Sequence, residues 1–264
     1  MSELRDKKLF LLDMDGTIYL GDEIFDGTLD FLNWVKGNGG RYMFLTNNSS
    51  KSVDKYIDKL DKMGIAVCKD DFTTSAQATG LYLEKHNKSD KIYVFGTKSL
   101  KEELSLYGLN ITDKLEDDID CLVMGFDTEL TFQKLEDASI LLGRGVDYIA
   151  TNPDWVCPTE YGYVPDCGSV AQMLFNATKR KPKFIGKPEA TMVELAVEKS
   201  GFAKEQTVLL GDRLYTDIAS GHNAGIDTML MLSGESTLDD LKEFDFTPTF
   251  IYKNVRELFN YLSK

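Results

Sequence analysis

Residues 8–17, Lys-Leu-Phe-Leu-Leu-Asp-Met-Asp-Gly-Thr, set the tightest limit on how this chain can fold. An apolar run of strand length without polar alternation is what a strand buried on both faces requires. It stops abruptly at two carboxylates and a glycine. Tyr42–Leu45, Lys183–Ile185, Val208–Leu210 and Thr228–Leu232 read as strands of the same kind. Helical patterns lie between them; Val53, Tyr56, Ile57, Leu60 and Met63 share one apolar face at helical spacing. This alternation predicts an α/β fold, a doubly wound parallel sheet with helices on both faces.

The stretch 80–177 reads as a second, smaller α/β unit with its own strands at Ile92–Phe95, Cys121–Phe126 and Tyr148–Ala150. It carries 8 basic and 17 acidic residues, against 30 and 43 in all 264 residues, so it holds most of the net charge of −13. The expected division is 1–79 plus 178–264 for the main domain and 80–177 for the insertion. The acid-rich run Asp113–Asp120 reads as a solvated edge, with a partner-docking surface as the sharper alternative.

Composition removes several function classes. An acidic chain makes a poor polyanion binder, because phosphate backbones need clustered Lys and Arg; no nucleic-acid polymer is expected as a partner. No apolar run approaches the roughly 20 residues that span a bilayer, and residues 1–5 lack the apolar core of a leader. Cys68, Cys121, Cys157 and Cys167 show no CxxC spacing, so they read as free thiols in a reducing cytoplasm. No membrane partner is expected either.

The chemistry sits where the strands end, at the edge on which open α/β sheets bind ligands. Asp13-Met14-Asp15-Gly16-Thr17 follows the first strand. The turn at Gly16 lets the two acids diverge. One can reach a substrate as nucleophile, through the aspartyl-phosphate chemistry open to Asp, while the other sits at proton-transfer reach of a leaving group. A polar turn with an Asp cap is the ordinary alternative, but ordinary residue usage yields D-x-D-G-T by chance in only roughly 0.4% of chains this long. Thr46-Asn47-Asn48 offers a hydroxyl, amides and N–H groups to phosphate oxygens, or equally a start for the next helix at Ser49, Ser50 or Ser52. Gly186-Lys187-Pro188 holds a lysine near the sheet edge, with the proline opening a helix. Gly211-Asp212-Arg213-Leu214-Tyr215-Thr216-Asp217 sets two acids five residues apart. Mg²⁺ takes hard oxygen ligands and keeps waters, so Asp212 fits a direct ligand and Asp217 an outer one.

D-x-D-G-T, a Thr after the second strand, G-K-P and G-D-x-x-x-T-D resemble, in order and placement, the four motifs of the haloacid dehalogenase superfamily of phosphatases. The likeness covers Lys8–Thr79 and Thr178–Lys264; the insertion resembles the larger cap of that superfamily. Thr151-Asn152-Pro153-Asp154 and Gly168-Ser169 resemble its NagD-like, p-nitrophenyl-phosphatase-like branch. The resemblance implies a Rossmann-like core, a cap domain and Mg²⁺ as cofactor. It implies Asp13 as nucleophile with its second oxygen on Mg²⁺, and Asp15 as general acid and then base, its carbonyl on the metal. Thr46 and the Asn47 N–H would hold phosphoryl oxygens, and Lys187 would neutralise charge between Asp13 and phosphate. Asp212 would bind Mg²⁺, while Asp217 would position metal-bound water or Lys187.

The electrostatic need stands without the family. A phosphate dianion cannot approach ionised Asp13 unless positive charge cancels the repulsion. Asp15 must enter the first step protonated, and crowding by other carboxylates is expected to raise its pKa. An Asp two residues after the nucleophile favours a phosphatase over a dehalogenase, whose halide leaving group needs no acid. His86 and His222 cannot supply a multi-His metal site. In the cap, Asn152 and Asp154, with Tyr161 or Ser169, are the candidates for reading the rest of the substrate; Asn-Pro-Asp is otherwise a plain turn. An Asp there would repel a second substrate charge, which points to sugar phosphates or nucleoside monophosphates. Homodimerisation through the cap is a further implication. Phosphotransfer to a hydroxyl acceptor and a non-hydrolytic aspartyl-phosphate switch or binding protein are the alternative functions.

Overall fold

The computed structural model describes residues 4–159 and 162–264, which leaves Tyr161 outside. In chain order its first elements are β1 (Leu9–Leu12), β2 (Tyr19–Leu20), β3 (Glu23–Ile24), α1 (Thr28–Gly37), β4 (Arg41–Thr46), α2 (Val53–Lys62), β5 (Phe72–Thr74) and α3 (Ser75–His86). The middle of the chain forms β6 (Lys91–Phe95), α4 (Lys98–Ser105), β7 (Asn110–Thr112), β8 (Cys121–Met124), α5 (Phe132–Arg144), β9 (Asp147–Ala150), β10 (Val156–Thr159), β11 (Gly162–Pro165), α6 (Cys167–Thr178) and β12 (Lys183–Phe184). The last part adds α7 (Thr191–Ser200), β13 (Thr207–Gly211), α8 (Ala219–Ala224), β14 (Asp227–Met231), β15 (Phe250–Tyr252) and α9 (Val255–Leu262). Two compact units result: 1–46, 53–73 and 187–264 in one, 47–52 and 74–186 in the other.

The first unit is built on a six-stranded sheet in the order β15-β14-β13-β1-β4-β5. β1 lies between two parallel neighbours, with Leu9 opposite both Thr207 and Arg41. Its LFLL run works as a strand buried on both faces should. Phe10 and Leu12 join Phe44, Val208, Leu210, Met229 and Met231 in a core closed by α1, α2 and α9, and Phe10 meets Phe31 edge-on at 5.4 Å. Leu9 and Leu11 are equally buried on the alternate side, where α7 packs on β1 and β4. The amphipathic face read for α2 holds: Val53, Tyr56 and Leu60 are buried, with Ile57 and Met63 packed at the margin. Gly64, at φ +81°, follows that helix, the left-handed residue with which helices commonly stop.

The second unit has a five-stranded, wholly parallel sheet, β12-β9-β8-β6-β7. Tyr93, Phe95, Leu122, Met124 and Ala150 form its core with α5 and α6, and β10 and β11 make an antiparallel hairpin. β12 corrects the sequence reading, which placed it in the first sheet. Lys183 and Phe184 pair with Ile149 and Ala150, because the one apolar side chain of this two-residue strand packs into the second core. The chain passes to the first unit between Gly186 and Lys187. All of α3 belongs with the second unit as well, since a helix packs as one body; the line drawn at residue 79 runs through it. Pro188 does not open a helix, because α7 begins at Thr191. The acid-rich run is a solvated edge, as expected, with Asp113, Asp117, Asp118 and Asp120 exposed; surface ion pairs join Lys91 to Glu116 at 2.6 Å and Asp118 at 2.8 Å, and Lys101 to Asp113 at 2.7 Å. All four cysteines are free, and no described helix is long and apolar enough to cross a membrane.

Candidate active site

Asp13 leaves β1 while still on the ladder, its N–H donating to the Leu210 carbonyl at 2.9 Å. The chain then doubles back. The Met14 carbonyl accepts from the N–H groups of Thr17 and Ile18, and the Gly16 N–H donates to the Tyr19 carbonyl at 2.8 Å. Gly16 has φ +86°, a conformation that residues with a Cβ rarely adopt. The turn separates the two acids: the Asp13 side chain is 16% exposed, while Asp15 stands at the surface. Asp15 bridges to Tyr19, whose buried ring lies 3.9 Å from the Lys59 ammonium. Burial first and Asp15 second hold the Tyr19 hydroxyl above its ordinary pKa.

β13 delivers the second pair of acids. Asp212 follows its last residue, Gly211, and a π-helical turn over Leu214–Ile218 carries Asp217. Such an extra residue per turn recurs at functional sites. A Cβ at Gly211 would overlap the Asp217 side chain, so glycine is required where the two meet. The Arg213 N–H donates to Asp217 Oδ2 at 3.1 Å.

Lys187 sits at the centre, 2% exposed. Its ammonium donates to Asp13 Oδ1 at 2.6 Å, to Asp217 Oδ1 at 2.6 Å and to the Leu45 carbonyl at 3.3 Å. These use all three ammonium protons. The last contact ties the lysine to the end of β4, one residue before the buried Thr46. Asp13, Asp212 and Asp217 each offer an oxygen, and these lie within 4.8 Å of one another. Asp212 Oδ2 accepts from the Glu235 N–H at 2.8 Å, whereas Asp212 Oδ1 is buried with no hydrogen-bond partner among the described residues.

Three carboxylates around one ammonium leave the cluster net negative. Burial pushes the Asp13 pKa well up; Lys187 pulls it back in part, and Asp217 and Asp212 add to the rise. Burial and then Asp217 push Asp212 up to about 6. For Lys187 burial acts downward, but Asp13 and Asp217 outweigh it and hold the ammonium above its ordinary range. Carboxylate crowding thus bears on Asp13 and Asp212, while Asp15 stands at the surface beside the Gly16 turn. Hard carboxylate oxygens, an excess of negative charge and an unmet buried acceptor on Asp212 together fit a divalent cation of the Mg²⁺ type. His222 takes no part: it is exposed at the end of α8, stacked on Phe246 at 5.1 Å.

These shifts make stability depend on pH. The Asp212 pKa is about 6 in the fold against 3.8 ordinarily. Between those values the native state keeps a proton that the unfolded chain has released, so rising pH destabilises the cation-free protein. Asp212→Asn removes this term. In EDTA the variant is expected to melt level with wild type below about pH 4 and above it from pH 6 upward, the window set by that shift. A variant that melts no higher at pH 7 would show that the fold bears no electrostatic cost at Asp212.

The segment after β14 escaped sequence reading. Ser233 Oγ donates to the Gly16 carbonyl at 2.8 Å, and the Ser236 N–H donates to the Asp212 carbonyl at 3.0 Å. The available signal was Ser-Gly-Glu-Ser directly after a strand, at the same sheet edge as the other motifs.

In the second unit, Asn47 is buried and its carbonyl accepts from Ser75 Oγ at 2.6 Å. Asn48 Oδ1 closes a turn onto the N–H and hydroxyl of Ser50. Ser49 Oγ meets Thr151 Oγ1 at 2.9 Å and accepts from the Phe126 N–H, so Ser49 serves the second unit rather than the start of α2. Asn152 is wholly buried and donates to Asp154 Oδ2 at 3.1 Å and to Asp166 Oδ1 at 3.0 Å. Gly168 packs so closely on Pro153 and Asp154 that a Cβ would overlap their carbonyls. The Asn-Pro-Asp segment is thus a buried node that anchors the start of α6.

Two family models match: haloacid dehalogenase-like hydrolase over residues 10–110 and HAD-hydrolase-like over residues 184–258. An acid sugar phosphatase of Staphylococcus aureus is 34% identical over 261 residues, 99% of this chain and 100% of its own. The chain belongs to the haloacid dehalogenase-like hydrolases. Within them it is of the NagD-like kind and is a phosphoric monoester hydrolase. The solved 4-nitrophenylphosphatase of Thermotoga maritima superposes with a TM-score of 0.91 at 42% identity, covering 98% of each chain. A glycerol phosphate phosphatase of Mycobacterium tuberculosis, solved in complex with magnesium, gives a TM-score of 0.90 at 30% identity over 96% of this chain and 76% of its own. In this hydrolase the matched segments carry all four strand-end motifs.

Proposed function

We propose that the protein hydrolyses small phosphomonoesters, sugar phosphates first among them and p-nitrophenyl phosphate in the test tube, through a phosphoryl group held on Asp13. The observation that carries this is the buried Lys187 ammonium shared between Asp13 and Asp217 beside Asp212. The names of the acid sugar phosphatase and 4-nitrophenylphosphatase relatives support the substrate class.

Asp13 attacks phosphorus, forming a P–O bond as the bond to the ester oxygen breaks. Asp15 gives its proton to that leaving oxygen. It then takes a proton from the water that attacks phosphorus, and the Asp13 P–O bond breaks to release phosphate. Lys187 holds Asp13 Oδ1 and offsets charge as the dianion approaches. Thr46 and the Asn47 N–H steady phosphoryl oxygens. Asp13, Asp212 and Asp217, with the Asp15 carbonyl, would hold Mg²⁺, which supplies positive charge that lets two anions meet. The second unit is proposed to act as the specificity cap, with Asn152 fixing Asp154 so that its charge disfavours substrates bearing a second anion.

Phosphate release from a panel of esters, in Mg²⁺ and in EDTA, tests the reaction class; metal-dependent release is expected, highest on sugar phosphates. Asp15→Asn is expected to slow alkyl phosphates by about 10²–10⁴-fold, the scale of general acid–base catalysis. Its effect on p-nitrophenyl phosphate, whose leaving group needs little protonation, is expected to be far smaller. Equal losses on both would count against the acid role.

A further inference from the structure

The segment 233–236 touches each of four consecutive residues that begin at Asp212. The Ser236 N–H donates to the Asp212 carbonyl at 3.0 Å and the Glu235 N–H to Asp212 Oδ2 at 2.8 Å. Arg213 Nε pairs with Glu235 Oε2 at 2.8 Å. The Leu214 N–H donates to Ser236 Oγ at 3.1 Å, and the Tyr215 hydroxyl to Glu235 Oε1 at 3.0 Å. Glu235 is therefore held at both carboxylate oxygens by the residues just past Asp212, while its own N–H holds one Asp212 oxygen. Glycines wall the same carboxylate. A Cβ on Gly16 would come within 2.5 Å of Asp212 Oδ2, and one on Gly234 would overlap it. Oδ2 is thus held by the Glu235 N–H in the space these glycines leave, and the buried Oδ1 is the presented oxygen.

We infer that Glu235 is a positioning residue for the cation site: clamped by Arg213 and Tyr215, it aims its backbone N–H at Asp212 Oδ2 and so presents Oδ1 to the ion. This rests on Asp212 being a cation ligand, as proposed above. The Glu235 side chain is 39% exposed, and exposed ion pairs contribute little to stability. The clamp therefore acts on the geometry of Asp212 rather than on the fold. Outer partners that orient a metal ligand typically change affinity 10–100-fold when removed.

Mn²⁺ titrations followed by electron paramagnetic resonance, on wild type, Glu235→Ala, Glu235→Gln and Asp212→Asn, test this without turnover. Wild type is expected to bind Mn²⁺ and Asp212→Asn to lose it. Glu235→Ala is expected to bind 10–100-fold more weakly while melting like wild type in EDTA. Glu235→Gln, which keeps one acceptor oxygen for the clamp, is expected to recover part of the loss. At saturating Mg²⁺ the KM for phosphate ester should be unchanged in Glu235→Ala, with only the metal requirement raised. Should Glu235→Ala fail to fold, Tyr215→Phe, which removes a single clamp contact, is expected to weaken Mn²⁺ several-fold. Affinity within twofold of wild type in the folded clamp variant would overturn the inference. A wild type that binds no Mn²⁺ would instead sink the cation reading on which it stands.

Discussion

Asp13→Asn is expected to abolish turnover, by about four orders of magnitude or more, the scale on which losing a covalent nucleophile is felt. An amide cannot displace the ester oxygen, and the neighbouring Lys187 and Asp217 give no substitute. The fold should survive. Asp13 lies at a strand end outside the β1 core, and burial with two nearby carboxylates already disfavours its charge. The cation-free variant should melt no lower than wild type near pH 7. Activity within tenfold of wild type would remove Asp13 from the mechanism, and a collapsed melting transition would leave the loss of turnover unassigned to chemistry.

Lys187→Met acts on both stability and rate. The ammonium is the only cation seen between Asp13 and Asp217 among the described contacts, at 2.6 Å from each. Its loss strands two buried carboxylates. Breaking a buried pair by removing one partner costs about 3–5 kcal/mol, and at 2% exposure solvent screens little of it. Urea denaturation in EDTA should register that loss. Turnover should fall by about 10³-fold, comparable to losing one preorganised charge stabiliser. The acid limb of the rate profile should move to higher pH, since Lys187 is what lowers the Asp13 pKa. Unchanged denaturation together with activity near wild type would contradict the central place given to Lys187.

Much of this was legible in the chain because the physics is local. A run such as LFLL can be satisfied only inside a sheet covered on both faces, and each acid-bearing motif follows such a run. That placed Asp13, Asp212 and Asp217 at one sheet edge before any coordinates. What stayed hidden depends on tertiary choice. Phe184 is one apolar residue in a two-residue strand, and nothing local says which core will take it. The 233–236 segment matches no motif of its own; its work is done by two backbone N–H groups, the Ser233 and Ser236 hydroxyls, the Glu235 carboxylate and a glycine whose missing Cβ makes room for Asp212. Asn152 reads as a polar turn residue, yet Asp154 and Asp166 turn it into a buried hub. Carboxylate crowding was expected from the motifs, but its weight on Asp13 and Asp212 follows from their burial, which spacing does not reveal.

The measurement that bears most directly on the account is chemical trapping of the phosphoryl enzyme. The protein is mixed with p-nitrophenyl phosphate and Mg²⁺, quenched in acid during turnover, reduced with borohydride and mapped by mass spectrometry. An acyl phosphate is reduced to the alcohol with release of phosphate, while a free carboxylate is not. Reduction at residue 13 alone, dependent on substrate and lost in Asp13→Asn, is the expected result. Vigorous turnover with Asp13 unmodified, or with the label on another residue, would contradict it.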